Sequence, residues 1–181
     1  MRTSSLALRS IEGLILASDL DIDETYSKAQ RILEAYRSVC WMSDKKLMDL
    51  GIDDDTDKGL MGTVRFLENC PVSANKKGYE VQLLKNTTPQ RLSAIVDDCL
   101  VQVAKFPGYG KDYLEIINCR YLLKTDEKAE EIYTRLSLER SAYYDRKKEA
   151  VMCFGYCLYA IVIPLYKKMH REEEKWSTLA R

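Results

Sequence analysis

Apolar residues recur every three or four positions along almost the whole chain, which is the period of an amphipathic helix. A first run of this kind ends at an acidic stretch, Asp19 to Asp23, and a second run follows it. The same spacing returns between Leu92 and Val103 and between Leu114 and Leu122. The second run has the following apolar positions, which are typical of a buried helix face: Tyr26, Ala29, Ile32, Leu33, Tyr36, Val39 and Cys40. The pattern therefore predicts an all-α protein built from many helices.

Polar residues and helix breakers predict where several of these helices begin. The aspartates at 19–23 supply an N-cap and a favourable negative charge for the helix that follows them. Thr88 and Pro89 provide a hydroxyl N-cap followed by the residue best suited to a first helical position. The sequence FPGYG at 106–110 predicts a break, after which a helix is expected from about Lys111 to Leu123.

Two stretches lack helical spacing. The segment GIDDDTDKG at 51–59 predicts a loop, and a helix from Met61 to Cys70 is expected between this loop and Pro71. Residues 71–87 contain proline, glycine, asparagine and paired lysines, which favour a linker or an exposed loop. A short strand at Tyr79–Leu84 is an alternative, because its apolar residues alternate with polar ones.

Residues 126–154 divide into a helix, a short turn at 137–139 and a longer helix that begins near Arg140. The inward stripe of the longer helix is predicted to be Tyr143, Ala150, Val151 and Phe154. Its outward residues are predicted to be Arg140, Ser141, Tyr144, Asp145 and Lys148. Two helices joined by a three- or four-residue turn are typical of the helix-turn-helix motif. An ordinary helical hairpin of a bundle fits the same spacing.

A long apolar helix is predicted to follow. Residues 150–166 form a run of 17 without a charge, just short of the roughly 20 apolar residues of a membrane span. Pro164, Gly155 and the tyrosines of this segment favour a buried helix in a soluble domain. A membrane-anchored protein is the less favoured alternative, and it predicts that no protein helix covers the segment.

Charge divides the chain into two regions. The whole sequence has 28 basic and 28 acidic residues, which excludes a uniformly basic, histone-like binder of nucleic acid. Residues 1–75 nevertheless carry a net charge of −4, and residues 76–181 carry +4. This asymmetry predicts an N-terminal helical region at 1–75 and a C-terminal region at 76–181 that contains the helix-turn-helix.

Few residues are arranged for catalysis or metal binding. The cysteines lie in apolar helical patterns, and only Cys153 and Cys157 have the spacing of metal ligands, one helical turn apart. A zinc site would need two more ligands, and His170 is the single histidine, so core packing is the favoured role of this pair. The acidic residues at 53–57 lack the glycine and glutamate of a calcium loop. We therefore expect that the protein is not an enzyme and that it binds no metal and no cofactor. The first 17 residues lack an apolar signal-peptide core, which favours a reduced intracellular compartment.

One segment resembles a known family. RYLLKTDEKAEEIYTRLSLERSAYYDRKKEAV at 120–151 is similar to the C-terminal part of the ArpU/RinA-like phage transcriptional regulators, which resemble region four of sigma factors. The similarity also extends loosely to residues 28–41 and 88–104. Its matching positions are Arg120, Tyr121, Ile132, Leu136, Ser141, Tyr143, Tyr144 and the run from Lys147 to Val151.

The resemblance implies a sequence-specific DNA-binding regulator of transcription in the cytoplasm of a bacterial host. Double-stranded DNA is its expected partner, with RNA polymerase and a second copy of the chain as further partners. The residues expected to contact DNA are Arg140, Ser141, Tyr144, Asp145, Arg146, Lys147 and Lys148. Arg140 and Ser141 would contact base edges, and the basic residues 146–148 would hold phosphates. An all-α protein for interaction or oligomerisation without DNA binding is the alternative function.

Overall fold

A computed structural model describes residues 5–41, 59–69 and 75–179 of the 181-residue chain. These residues form helices joined by short turns, and no strand occurs among them, so the predicted all-α class is confirmed. The helices are α1 (Leu6–Ala17), α2 (Ile22–Cys40), α3 (Gly59–Glu68), α4 (Lys76–Asn86), α5 (Pro89–Ala104), α6 (Gly110–Ile117), α7 (Ala129–Arg135), α8 (Arg140–Tyr156) and α9 (Ile163–Leu179). The predicted acidic loop at 53–57 and the predicted helix stop at Pro71 lie outside the described residues.

The predicted N-caps are confirmed. The carboxylate of Asp21 accepts a hydrogen bond from the backbone N–H of Glu24 at 2.7 Å, which starts α2. The hydroxyl of Thr88 accepts one from the N–H of Arg91 at 3.3 Å, and Pro89 occupies the first position of α5. Each side chain satisfies a backbone donor that the helix itself leaves unpaired.

The loop or strand predicted within residues 71–87 is wrong for its second half, because Lys76–Asn86 is the helix α4. The side-chain oxygen of Asn75 caps it by accepting from the N–H of Gly78 at 2.7 Å. The buried residues Tyr79, Leu83 and Leu84 follow a helical spacing. Their contacts with α2 and α3 decide the conformation, since tertiary packing overrides a weak local preference.

The predicted break at 106–110 is confirmed. Gly108 adopts φ +81°, in the left-handed region that glycine enters without steric cost. The predicted helix from Lys111 to Leu123 is observed as α6 followed by a π-helical turn at Asn118–Leu122. This turn ends where the N–H of Leu123 donates to the carbonyl of Asn118 at 3.0 Å.

Helix α8 lies at the centre of the core. It packs against α1, α2, α5 and α6, and its residues Ala150 to Gly155 are all buried. At the crossing with α2 there is no room for a side chain, since a Cβ on Gly155 would lie 2.9 Å from the Thr25 methyl. The described helices from both charge regions share this one core. The division at residue 75 therefore remains a prediction about function.

A π-helical segment at Cys157–Val162 joins α8 to α9, so that Arg140–Leu179 forms one continuous helix of 40 residues. This helix is long and apolar enough to cross a membrane by length and composition, with a window of mean hydropathy 1.6. Of that window, 61% is buried inside the structure. Residues 171–179 at its end are exposed.

Candidate nucleic-acid interface

A four-residue turn, Leu136 to Glu139, joins α7 to α8. Its backbone closes α7 with two hydrogen bonds, from the N–H of Leu138 to the Tyr133 carbonyl at 2.8 Å and from Ser137 to the Thr134 carbonyl at 3.1 Å. Ser137 takes φ +54°, the left-handed conformation of a residue that follows a helix in this way. The predicted start of α8 at Arg140 is confirmed.

The first two turns of α8 present one exposed face. We call this the outer face, and it consists of Arg140, Ser141, Tyr144, Asp145 and Lys148. These positions recur at intervals of one, three and four along the helix and therefore share one side of it. Tyr144 is 47% exposed, whereas its neighbour Tyr143 is completely buried. The predicted division of α8 into inward and outward residues is confirmed.

Arg146 lies apart from the outer face. Its guanidinium pairs with the carboxylate of Glu149 at 2.8 Å and lies 3.5 Å from the ring centroid of Tyr109. Burial tends to lower the pKa of Arg146, but the Glu149 charge and the hydroxyls of Tyr109 and Tyr113 outweigh it, and the net shift is upward. Arg146 therefore stays charged and is held within the protein.

Glu149 itself is 2% exposed. Its carboxylate accepts hydrogen bonds from the hydroxyls of Ser5 and Tyr113, the second at 3.0 Å, in addition to the Arg146 ion pair. Burial and this carboxylate raise the pKa of Tyr113, so its hydroxyl remains a donor. The cluster ties α1 and α6 to α8 directly behind the outer face.

Lys147 points to the opposite flank, where it lines a cleft of about 380 Å³. We call this the cationic cleft; it lies between the π-helical turn, α7 and α8. It is lined by Arg120, Lys128, Ala129, Glu130, Tyr133, Arg140, Tyr143, Tyr144 and Lys147. Four of these side chains are cations and one is a carboxylate, so the cleft is electropositive. Arg140 and Tyr144 belong to both the cleft and the outer face.

A larger groove of about 770 Å³ lies on the other flank of α8. The exposed face of α1 and residues 106–109 form its walls, and Glu149 and Arg146 lie at its α8 side. Leu6 and Leu14 of α1 are exposed along it. The outer face is thus bounded by a mainly apolar groove on one side and by the cationic cleft on the other.

The described residues contain no group of three or more histidine, cysteine or acidic side chains that could hold a metal ion. Cys153 and Cys157, the pair with ligand-like spacing, are buried in the core. His170 lies on α9 with Glu174 at 3.3 Å. None of these side chains lies beside the outer face.

The sequence pattern assigns no role in binding to Arg120, Lys128 or Glu149, and it predicts Tyr143 as a packing residue whose hydroxyl could reach phosphate. Arg120, Tyr143 and Glu149 are positions of the family pattern, and Tyr143 is also predicted as an inward residue of α8. Lys128 lies in an ordinary charged stretch with no distinguishing neighbour. These residues are grouped by the packing of separate elements against one another, and the spacing of residues along the chain does not predict such packing.

No family model, no curated protein and no solved structure matches the chain.

Proposed function

We propose that the chain is a sequence-specific DNA-binding regulator of transcription, of phage or prophage origin. The observation that carries the proposal is the exposed outer face of α8, which directly follows a four-residue turn. A helix in this position, with polar residues on its free side, has the dimensions to enter the major groove of DNA. The resemblance of residues 120–151 to phage regulators supports the same function.

In the proposed complex, the first turn of α8 reads base edges. The guanidinium of Arg140 can donate two hydrogen bonds to guanine, and Ser141 can donate or accept one beside it. Tyr144, one turn further, is placed to contact a phosphate or a thymine methyl group. Asp145 can accept from the amino group of cytosine. Lys148 and Lys147 contact phosphates on either side of the helix axis.

The limited charge of this surface also has a consequence for affinity. The outer face contains two cations and one carboxylate, so bulk attraction to DNA is modest. Binding would depend on a few well-placed contacts and on a second copy of the chain or RNA polymerase bound beside it. A symmetric pair would read two half-sites one helical turn apart.

The experiment is a salt titration of binding to the DNA upstream of the chain's own gene, compared with a scrambled duplex. We expect the logarithm of the affinity to fall linearly with the logarithm of salt, with a slope of about −0.9 for each phosphate contacted. Arg140→Ala should weaken specific binding by about 1–3 kcal/mol, and it should relax the preference for one base pair.

Arg65→Ala is the matched control, because Arg65 is an exposed arginine on α3, and α3 is not among the helices packed against α8. It should leave both affinity and preference unchanged. Absence of binding at low salt, or equal losses for Arg140→Ala and Arg65→Ala, would contradict the proposal.

A second candidate function, self-association, is favoured by α9. Its exposed large apolar side chains are Leu165, Met169, Trp176 and Leu179, with Glu172 in the gap between them. Their spacing of three, four or seven residues places them on one side of the helix, as in a two-stranded coiled coil. We infer that this stripe pairs with the same stripe of a second copy. Self-association of this kind is compatible with DNA binding and does not require it.

A further inference from the structure

The cationic cleft contains a buried hydroxyl without a partner. Tyr143 is completely buried, and its hydroxyl oxygen has no hydrogen-bond partner among the described residues. Burial raises the pKa of this phenol, so it is neutral and able to donate. A buried donor left unpaired costs about 1–3 kcal/mol, which makes such a group uncommon. It therefore requires an explanation.

The tyrosine has little freedom to turn away. Its ring lies 6.0 Å from that of Tyr133 and 5.2 Å from that of Tyr144, which meets it edge-on. These two rings belong to the lining of the cleft, and so does Tyr143 itself. The rings of Tyr133 and Tyr144 thus hold Tyr143 in the lining of the cleft, with its hydroxyl buried behind the surface.

The positive charge of the cleft is only partly balanced by the protein. Arg120 is paired with Asp126 at 2.7 Å, and Asp126 also lies 3.5 Å from Arg37. Lys128 and Arg140 have no ion pair within the described part of the chain. Among the residues that the structure describes, Glu130 is the one carboxylate that lines the cleft. Lys128, Arg140 and Lys147 therefore line the cleft without an equal number of carboxylates beside them.

Lys147 also lies in this excess of positive charge. Its side-chain nitrogen lies 5.7 Å from the ring centroid of Tyr121, and it has no ion pair among the described residues. Burial lowers the pKa of Lys147, and repulsion from Arg120 lowers it further, although Glu34 and Asp126 act in the opposite direction. An anion in the cleft would relieve both effects.

We infer that the cationic cleft binds a phosphate group, with the Tyr143 hydroxyl and the Lys147 ammonium among its donors. Arg120 and Lys128 would complete the charge around the phosphate oxygens. Tetrahedral phosphate presents several acceptor oxygens, which matches a hydroxyl and several cations that converge from three elements. The inference goes beyond the proposed function, because the cleft can hold a phosphate whether or not the outer face reads bases.

The test titrates inorganic phosphate into the full chain and follows backbone amide shifts of residues 128–147, at constant ionic strength. We expect saturable shifts centred on the cleft. Tyr143→Phe removes one hydroxyl and no carbon, and it should weaken phosphate binding about tenfold, as expected for a hydrogen bond to a charged group. Lys147→Met should weaken it at least as much.

Tyr166→Phe is the control, since it removes a hydroxyl on α9 that donates to Asp98 at 2.7 Å, far along the chain from the cleft. It should leave phosphate binding unchanged. Thermal unfolding separates a binding role from a structural one. Because the Tyr143 hydroxyl is unpaired in the free protein, Tyr143→Phe should not lower the melting temperature. Shifts that never saturate, or that are equal in wild type and Tyr143→Phe, would overturn the inference.

A competition distinguishes the two sources of the phosphate. If duplex DNA displaces inorganic phosphate from the cleft, the natural occupant is a phosphodiester of the DNA backbone. If DNA binds and the phosphate shifts remain, the occupant is a free phosphorylated compound. Loss of phosphate binding together with intact, Arg140-dependent DNA binding would overturn this inference alone and leave the proposed function standing.

Discussion

At the scale of single residues, Glu149 has an unusual place, because it is the one acidic or basic side chain among the buried residues that the structure describes. An ion pair removed from water is a weak source of net stability, since desolvation offsets most of the attraction. Breaking such a pair is costly, however, because the remaining charge is left buried. The Ser5, Tyr113 and Arg146 donors around Glu149 therefore fix the position of α8 more than they stabilise the protein as a whole.

Glu149→Ala should lower the free energy of unfolding by about 3–5 kcal/mol, because it leaves the Arg146 guanidinium without its carboxylate. Urea denaturation measures the change, and Glu173→Ala on the exposed end of α9 serves as the control, with an expected effect within about 0.5 kcal/mol. The double variant Glu149→Leu, Arg146→Leu should recover most of the loss. If the single and double variants are equally unstable, the ion pair is not the cause.

At the scale of helices, the close crossing of α2 and α8 is set by Gly155. A Cβ there would lie 2.9 Å from the Thr25 methyl and 3.0 Å from the Ala29 Cβ, so the two helices would have to separate. Gly13 offers the opposite situation, since a Cβ on this exposed position of α1 meets nothing within 4 Å. The two glycines therefore form a matched pair for the same substitution.

Gly155→Ala should destabilise the protein by about 1–3 kcal/mol through overpacking. Gly13→Ala should instead stabilise it by about 0.5–1 kcal/mol, because alanine has the higher helix propensity and restricts the unfolded chain. Both changes are measured by urea denaturation under identical conditions. Equal effects of the two substitutions would show that the crossing is looser than the structure indicates.

The helices themselves also show what sequence could predict. Caps at Asp21 and Thr88 and the turn before Arg140 depend on residues close together in the chain, so local rules identified them. Helix α4 depends on contacts of Tyr79 and Leu83 with other helices, and alternation along 79–84 indicated a strand. The outer face of α8 followed from helical spacing alone. The cationic cleft did not, because Arg120 and Lys128 are brought to Tyr143 by tertiary packing.

At the scale of the whole molecule, the zero net charge conceals a local arrangement. The acidic and basic regions share one core, and the unbalanced cations gather around the first turns of α8. The net charge of residues 76–181 predicts that the surface around the start of α8 is positive, but it does not predict that the cations form a cleft. The exposed end of α9 lies at the other extreme of the same helix.

Trp176→Glu should shift self-association toward the monomer, because it removes the largest apolar side chain of the α9 stripe and adds a second charge beside Glu172. Sedimentation velocity over a range of protein concentrations measures the change. Leu16→Glu is the control, since Leu16 is a 60% exposed leucine on α1, away from the stripe. A wild-type protein that is monomeric at every concentration, or equal behaviour of the two variants, would rule out pairing through α9.

The helix from Arg140 to Leu179 is unbroken, so the distance between its two ends is fixed by the number of residues in it. At a rise of about 1.5 Å per residue, its 40 residues span about 60 Å from the outer face to the free tip. Seven residues inserted after Arg171 would push the tip outward by about 10.5 Å and turn it by only about 20°. Four inserted residues would turn it by about 40°. Insertions of this kind would therefore change the distance and the direction of the exposed end of α9 without altering the contacts that the outer face makes at the other end of the helix.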